Sequence, residues 1–230
     1  MPRLIYHGQS CFEIHATKAK LIVDPWLDDN PVADIAAAEV ECDVILVTHG
    51  HSDHIGDTEA IAQRTNATVV STYELVCYLE SRGLGVTAHS MHIGGAHDFD
   101  WGRVKLTPAL HGGIVDVEGG THFTVPCGFL VTVDGKTIYH AGDTGLSAEM
   151  ALIGRLDNID VAILPIGDNY TMGPDDALEA IKMLVPKTVV PMHYDTYDLI
   201  QQDAELFAQR VGAETSATCA ILKPGQALDI

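Results

Sequence analysis

Residues 49–54 read His49-Gly50-His51-Ser52-Asp53-His54, directly after the apolar run Val44-Ile45-Leu46-Val47. An uninterrupted apolar run of this length is the pattern of a strand buried on both faces, so the chain must place layers on either side of it. The ligand-rich block then falls at the strand's C-terminal end, where rigid sheets present functional loops. Neutral imidazole and carboxylate are the donors that borderline divalent metals such as zinc take. His49 and His51 share a side if the chain leaves the strand extended, because side chains alternate with a period of two. Asp53 and His54 are adjacent, and a turn can aim them at a second point nearby. The block can therefore build two neighbouring metal sites.

Composition narrows the rest. A chain of 230 residues can bury one large core, and no linker, charge run or low-complexity stretch marks a boundary, so residues 1–230 are read as a single domain. No apolar run approaches the length of about eighteen residues that a membrane span needs, so no membrane association is expected. The start, Met1-Pro2-Arg3-Leu4-Ile5-Tyr6, lacks the pattern of a secretory signal, and a cytoplasmic protein is the expectation. The cysteines Cys11, Cys42, Cys77, Cys127 and Cys219 form no Cys-x-x-Cys pair and read as reduced, mostly buried residues. Thirteen Lys and Arg against thirty-two Asp and Glu give a formal charge of −19, with no basic cluster. A protein gripping a long nucleic acid would carry a basic stripe, so a small-molecule substrate is expected instead.

The coarse pattern is strands first and helices interleaved later, twice over. Strands are expected at 4–7, 11–15, 21–23, 44–47, 68–71 and 103–109, with helices at 57–64 and 73–81. In the second half, 129–133 and 137–140 form a hairpin around Asp134-Gly135, a favourable type I′ pair. Strands follow at 161–166 and 188–192, helices at 175–184 and 199–210, and a last strand at 220–222. This suggests two sheets packed face to face with helices outside. Three more polar residues stand at strand ends: His111 after 103–109, Asp143 after 137–140, and His193 after Val189-Val190-Pro191-Met192. Alone, each would pass as a hydrogen-bonded structural residue. Beside a block that needs further donors to close its sites, each becomes a candidate ligand.

This set resembles the metallo-β-lactamase superfamily, whose His-x-His-x-Asp-His signature is matched at His49, His51, Asp53 and His54. His111, Asp143 and His193 follow in the expected order. The opening His7-Gly8-Gln9-Ser10-Cys11-Phe12-Glu13-Ile14, with Leu21-Ile22-Val23-Asp24-Pro25, is similar to the branch that includes ascorbate-6-phosphate lactonase. Gly167-Asp168-Asn169-Tyr170-Thr171-Met172-Gly173-Pro174 and Pro191-Met192-His193-Tyr194 resemble a group of small metal-dependent hydrolases. The resemblance implies an α/β (α+β) αββα four-layer sandwich of two mixed sheets, with a dinuclear centre at one edge. It implies that His49, His51 and His111 hold one ion, that Asp53, His54 and His193 hold the other, and that Asp143 bridges them. Zinc is the expected metal, with manganese or iron as the other candidates. Two such ions about 3.5–4 Å apart supply hydroxide at neutral pH and stabilise the developing oxyanion. Asp53 is also the candidate to steer that hydroxide. No ligand is cysteine, which argues against β-lactam hydrolysis.

Other polar residues have two readings each. Asp24 either orients a ligand imidazole through its second nitrogen or caps the Asp24-Pro25 turn. His7 either lines the cleft or bonds to backbone at a strand end. His140 reads as a support or structural residue rather than a ligand. Asp168, Asn169 and Thr171 follow a strand, where substrate contacts gather, or form a capped turn. Tyr194 either donates to a leaving group or packs in the core. The expected reaction is hydrolysis of a small ester, lactone or phosphodiester by a metal-dependent enzyme. The alternatives are an iron-containing redox enzyme resembling sulfur dioxygenases, and a ribonuclease Z-like phosphodiesterase. The sequence leaves a homo-oligomer open.

Overall fold

Period-two alternation builds the layers. In the computed structural model, which describes residues 1–230, Val44 and Leu46 enter the core between two sheets, while Ile45 and Val47 enter a core on the other face. Val161 and Ile163 do the same against Ala162 and Leu164 on the opposite side of the molecule. Strands buried on both faces require a layer on each side.

The first sheet contains β1 (Arg3–Gly8), β2 (Cys11–His15), β3 (Lys20–Val23), β4 (Val44–Leu46), β5 (Thr68–Thr72) and β6 (Ala88–Met91) in that spatial order. The second runs β7 (Ala96–Phe99) and β8 (Gly102–Pro108), then, beyond a separate hairpin of β9 (Ile114–Val117) and β10 (Gly120–Phe123), β11 (Cys127–Val133), β12 (Lys136–His140), β13 (Val161–Pro165), β14 (Thr188–Met192) and β15 (Thr218–Cys219). The last strand, β16 (Ala227–Asp229), returns to pair with β1. Each sheet is antiparallel at one end and parallel at the other, with the change at β3 and at β12. The two halves thus share one plan.

Helices cover the outer faces. Ile61 and Ala62 of α2 (Thr58–Thr65), which follows the short α1 (Ser52–Ile55), pack with Leu75 and Leu79 of α3 (Tyr73–Ser81) onto Ile22, Ile45 and Val69. On the other side α4 (Glu149–Leu156), α5 (Pro174–Leu184) and α6 (Ala204–Glu214) bring Met150, Leu178, Ile181 and Phe207 onto Ala162, Leu164 and Val189. The architecture is the αββα sandwich. No helix is long and apolar enough to cross a membrane.

Local chemistry explains where expectation and structure differ. Asp134 and Gly135 both take positive φ, 50° and 76°, which is the hairpin the dipeptide encodes. The helix expected over 199–210 is displaced to Ala204–Glu214, because the Asp203 side chain accepts from Leu206 N and caps it there. Asp198–Ile200 is a separate 3-10 turn. The strand expected at 220–222 lies at Thr218–Cys219 instead, and β16 follows it. The strands β6, β7, β9 and β10 are only four residues each, and neither they nor α4 are among the elements expected from the sequence.

Candidate metal centre

The ends of β4, β8, β12 and β14 meet at one edge of the sandwich, and each delivers part of a single polar cluster. Val47-Thr48 leaves β4 and leads into His49; His51, Asp53 and His54 follow through the turn of α1. Gly56 lets that turn pack closely: its φ is +34°, and a Cβ there would stand 2.6 Å from the Pro25 carbonyl and the Trp26 Cα. Gly142, at φ +63°, allows the approach that carries Asp143 in; a Cβ would lie 2.5 Å from the Cys127 carbonyl.

Donor atoms of His49, His51 and His111 lie within 4.8 Å of one another, as do those of His49, His54 and Asp143, and those of Asp53, His54 and His193. His49 Nε2 is 2.9 Å from His51 Nδ1, which is 3.3 Å from His111 Nε2. Asp143 Oδ2 stands 3.3 Å from His54 Nε2, 3.1 Å from His193 Nε2 and 3.5 Å from His111 Nε2. Asp53 Oδ2 is 3.5 Å from His54 Nε2 and 3.6 Å from His193 Nε2. His54 Nε2 and Asp143 Oδ1 are buried without a hydrogen-bond partner, and such groups are costly unless something satisfies them. Converging imidazole and carboxylate lone pairs with orphaned donor atoms fit a divalent metal.

The surrounding shell fixes these groups. His54 Nδ1 donates to Asp24 Oδ2 at 2.7 Å, which turns Nε2 toward Asp143 and Asp53. Asp24 also accepts from Thr48 N (2.8 Å) and from the Thr48 hydroxyl (2.7 Å), and that hydroxyl can accept from His49 Nδ1 at 2.9 Å. Gln9 Nε2 donates to Asp53 Oδ2 at 2.9 Å, while the Gln9 carbonyl accepts from His193 N. Gln9, Asp24 and His193 all hold positive φ, at 53°, 46° and 54°. Backbone strain of this kind costs about 1–3 kcal/mol per residue and persists where surrounding structure overdetermines it.

Charge is divided across the cluster. Burial and the neighbouring His54 hold His49 well below the usual imidazole value, and burial also lowers His51 and His111. Burial works the same way on His54 and His193, but Asp143 overrides it; His54 is raised well above its ordinary value and His193 to about 9. Asp143 is buried and Asp53 partly so, yet the imidazoles beside them hold both below the ordinary carboxylate range.

The remaining candidates fall in different places. His140 turns away from the cluster: Nε2 donates to the Ser10 carbonyl at 3.0 Å and Nδ1 accepts from Gly142 N at 3.2 Å. His7 is buried against Asp34, with Nδ1 2.8 Å from Oδ1, and lies 3.6 Å from Glu13. Asp168 and Asn169 form a left-handed turn in which Asp168 Oδ1 accepts from Asn169 N, and the Thr171 hydroxyl donates to the Met172 carbonyl. Tyr194 lines a different cavity, beside Tyr6 and Val32. The cavity over the cluster, about 460 Å³, is lined by His51, Asp53, His111, Asp143 and His193, and by Tyr170, Tyr197 and Leu199. Gln9 and Tyr170 lie inside the stretches that carry the resemblance but are not singled out there, whereas Tyr197 and Leu199 lie outside every quoted motif.

Fold and cluster together define a metallohydrolase of the β-lactamase type. The beta-lactamase superfamily domain matches residues 3–193, and the chain belongs to that family. It is 52% identical to a UPF0173 metal-dependent hydrolase of Pelotomaculum thermopropionicum over 99% of this chain and 100% of that one. It is 46% identical to a relative of the same description from Bacillus mycoides, with 100% of each covered. Among solved structures it is similar to Igni18, a metallo hydrolase from Ignicoccus hospitalis, with a TM-score of 0.90, 36% identity, and 100% of this chain and 99% of that chain covered. The chain is a metal-dependent hydrolase.

Proposed function

We propose that the seven clustered residues hold two divalent ions, zinc in preference, and that the protein hydrolyses a small ester, lactone or phosphodiester. The observation that carries this reading is Asp143 Oδ2, within 3.5 Å of His111 on one side and of His54 and His193 on the other. A carboxylate oxygen shared between two imidazole groups suits a bridge between two cations. His49, His51 and His111 would hold one ion, and Asp53, His54 and His193 the other.

Two ions held there would supply hydroxide at neutral pH and stabilise the oxyanion formed on attack. The chain's own part is positioning. Asp24 and Thr48 set the tautomers of His54 and His49, so that both present Nε2. Asp53, clamped by the Gln9 amide and facing the cavity, accepts a hydrogen bond from the attacking water and orients it. Turnover of lactones, esters and phosphodiesters before chelation, after it, and after zinc is restored tests this reading. Activity that falls with the metal and returns with it is expected, and activity indifferent to chelation contradicts the reading.

A further inference from the structure

We propose that the cavity selects uncharged substrates, namely esters or lactones of apolar acids, by seating the apolar group on Tyr170, Tyr197 and Leu199 beside the metal cluster. This rests on the hydrolase reading above and narrows it.

The cavity has two poles. One is the cluster of imidazoles and carboxylates; the other is made only of those three large side chains. They are 52%, 42% and 65% exposed, so the fold gains little from burying them. Large, mainly apolar side chains left open beside polar groups in one cavity are the pattern of a small-molecule site. One side of the wall is also packed in advance. The Tyr197 ring stacks on the buried Trp26 ring, with centroids 6.1 Å apart and planes at 28°. Tyr170 is delivered by a loop held by left-handed Asp168 and Asn169, and Tyr197 follows left-handed Asp195. A seat that is already ordered loses little freedom when a ligand arrives.

Charge points the same way. None of the thirteen Lys and Arg lines the cavity, whereas Asp53 and Asp143 do. Sites that recognise phosphate or carboxylate ordinarily supply a guanidinium or ammonium. With a formal charge of −19, the chain as a whole repels anions. The positive charge of the proposed ions would be engaged by the reacting group, and an anionic substituent seated on Tyr170, Tyr197 and Leu199 would find no Lys or Arg to pair with. An alkyl or aryl substituent would find a surface that fits it.

The test uses zinc-loaded protein and γ-lactones of one ring size carrying a butyl, benzyl or carboxymethyl substituent, so the reacting group is constant. The benzyl and butyl lactones should exceed the carboxymethyl lactone in kcat/KM by about tenfold or more. Tyr197→Ala should erase most of that preference by raising KM for the benzyl lactone about tenfold, and Tyr197→Phe should keep it. A carboxymethyl lactone turned over as well as the benzyl one, or a preference untouched by Tyr197→Ala, overturns the proposal. Binding of the corresponding uncleaved lactams, followed by ligand-observed NMR, separates the two readings. Preferential binding of the benzyl lactam, weakened in Tyr197→Ala, supports the seat even if no lactone is cleaved, and the lactone part of the reading above then fails alone. Turnover without preference leaves the hydrolase standing and overturns the seat. Absence of preference in both turnover and binding overturns the seat as well.

Discussion

Asp24 accepts a 2.7 Å hydrogen bond from His54 Nδ1, and both side chains are wholly buried. The bond settles which nitrogen carries the proton and turns Nε2 toward Asp143 and Asp53. Carboxylates placed this way also raise the basicity of a ligand imidazole. Asp24→Ala should weaken metal binding by about 10–100-fold. A chelator competition on the purified variant measures this, and an affinity equal to that of the parent would show that Asp24 only shapes the Asp24-Pro25 turn after β3.

His140 makes the opposite case. Both of its nitrogens are engaged, with the Ser10 carbonyl and Gly142 N, and its ring meets Phe12 edge-on at 5.8 Å. His140→Ala should cost about 2–4 kcal/mol of stability through a cavity and two lost hydrogen bonds. Metal content should not change. Denaturant unfolding and elemental analysis together check the pair of outcomes, and loss of one metal would make His140 part of the centre.

Gln9 tests positioning without ligation. Gln9→Leu keeps the bulk and the carbonyl bond to His193 N but removes the amide from Asp53. We expect kcat to fall about tenfold, since small misplacements of a reacting geometry are expensive, while zinc stoichiometry holds. Unchanged kcat on a turned-over lactone would show that Asp53 needs no such clamp.

His7 gives a pH dependence away from the metal cluster. Burial alone would lower its pKa, but the Glu13 carboxylate 3.6 Å away and the hydrogen-bonded Asp34 carboxylate raise it above 6.5. Burial would raise Glu13, and its contacts with His7 and His15 lower it below 4.5 instead. A raised imidazole contributes stability that is complete below 6.5 and is lost as pH rises through the native value. A lowered carboxyl contributes stability present above 4.5 and lost as pH falls through its native value. The network therefore contributes most between these limits. Urea midpoints should show His7→Gln destabilising more at pH 5.5 than at pH 9; an equal penalty at both would mean that His7 acts by packing alone.

The sandwich and its donor-rich edge are legible because both rest on local pattern. Alternation over Val44–Val47 and Val161–Leu164 reports the two cores that each strand faces. The 49–54 block concentrates donors within one turn. Other features depend on contacts between distant segments. Gln9 reaches Asp53 across forty-four positions, and Trp26 backs Tyr197 from the far end of the chain. Asp203, not the apolar periodicity, decides where the last helix begins. The four-residue strands Ala88–Met91 and Ala96–Phe99 have no apolar repeat to betray them; neighbouring strands impose their conformation. Tyr194 and Tyr197 look alike in sequence, and only the turn after His193 sends one toward Tyr6 and the other into the cavity over the donor cluster.

Metal content per chain, by elemental analysis of protein purified without chelator or added metal, tests the central claim most directly. The account predicts two equivalents of zinc in the parent and at most one in Asp143→Ala, with the fold retained. One equivalent in the parent, iron in place of zinc, or two equivalents surviving Asp143→Ala would contradict a dinuclear zinc centre bridged by Asp143.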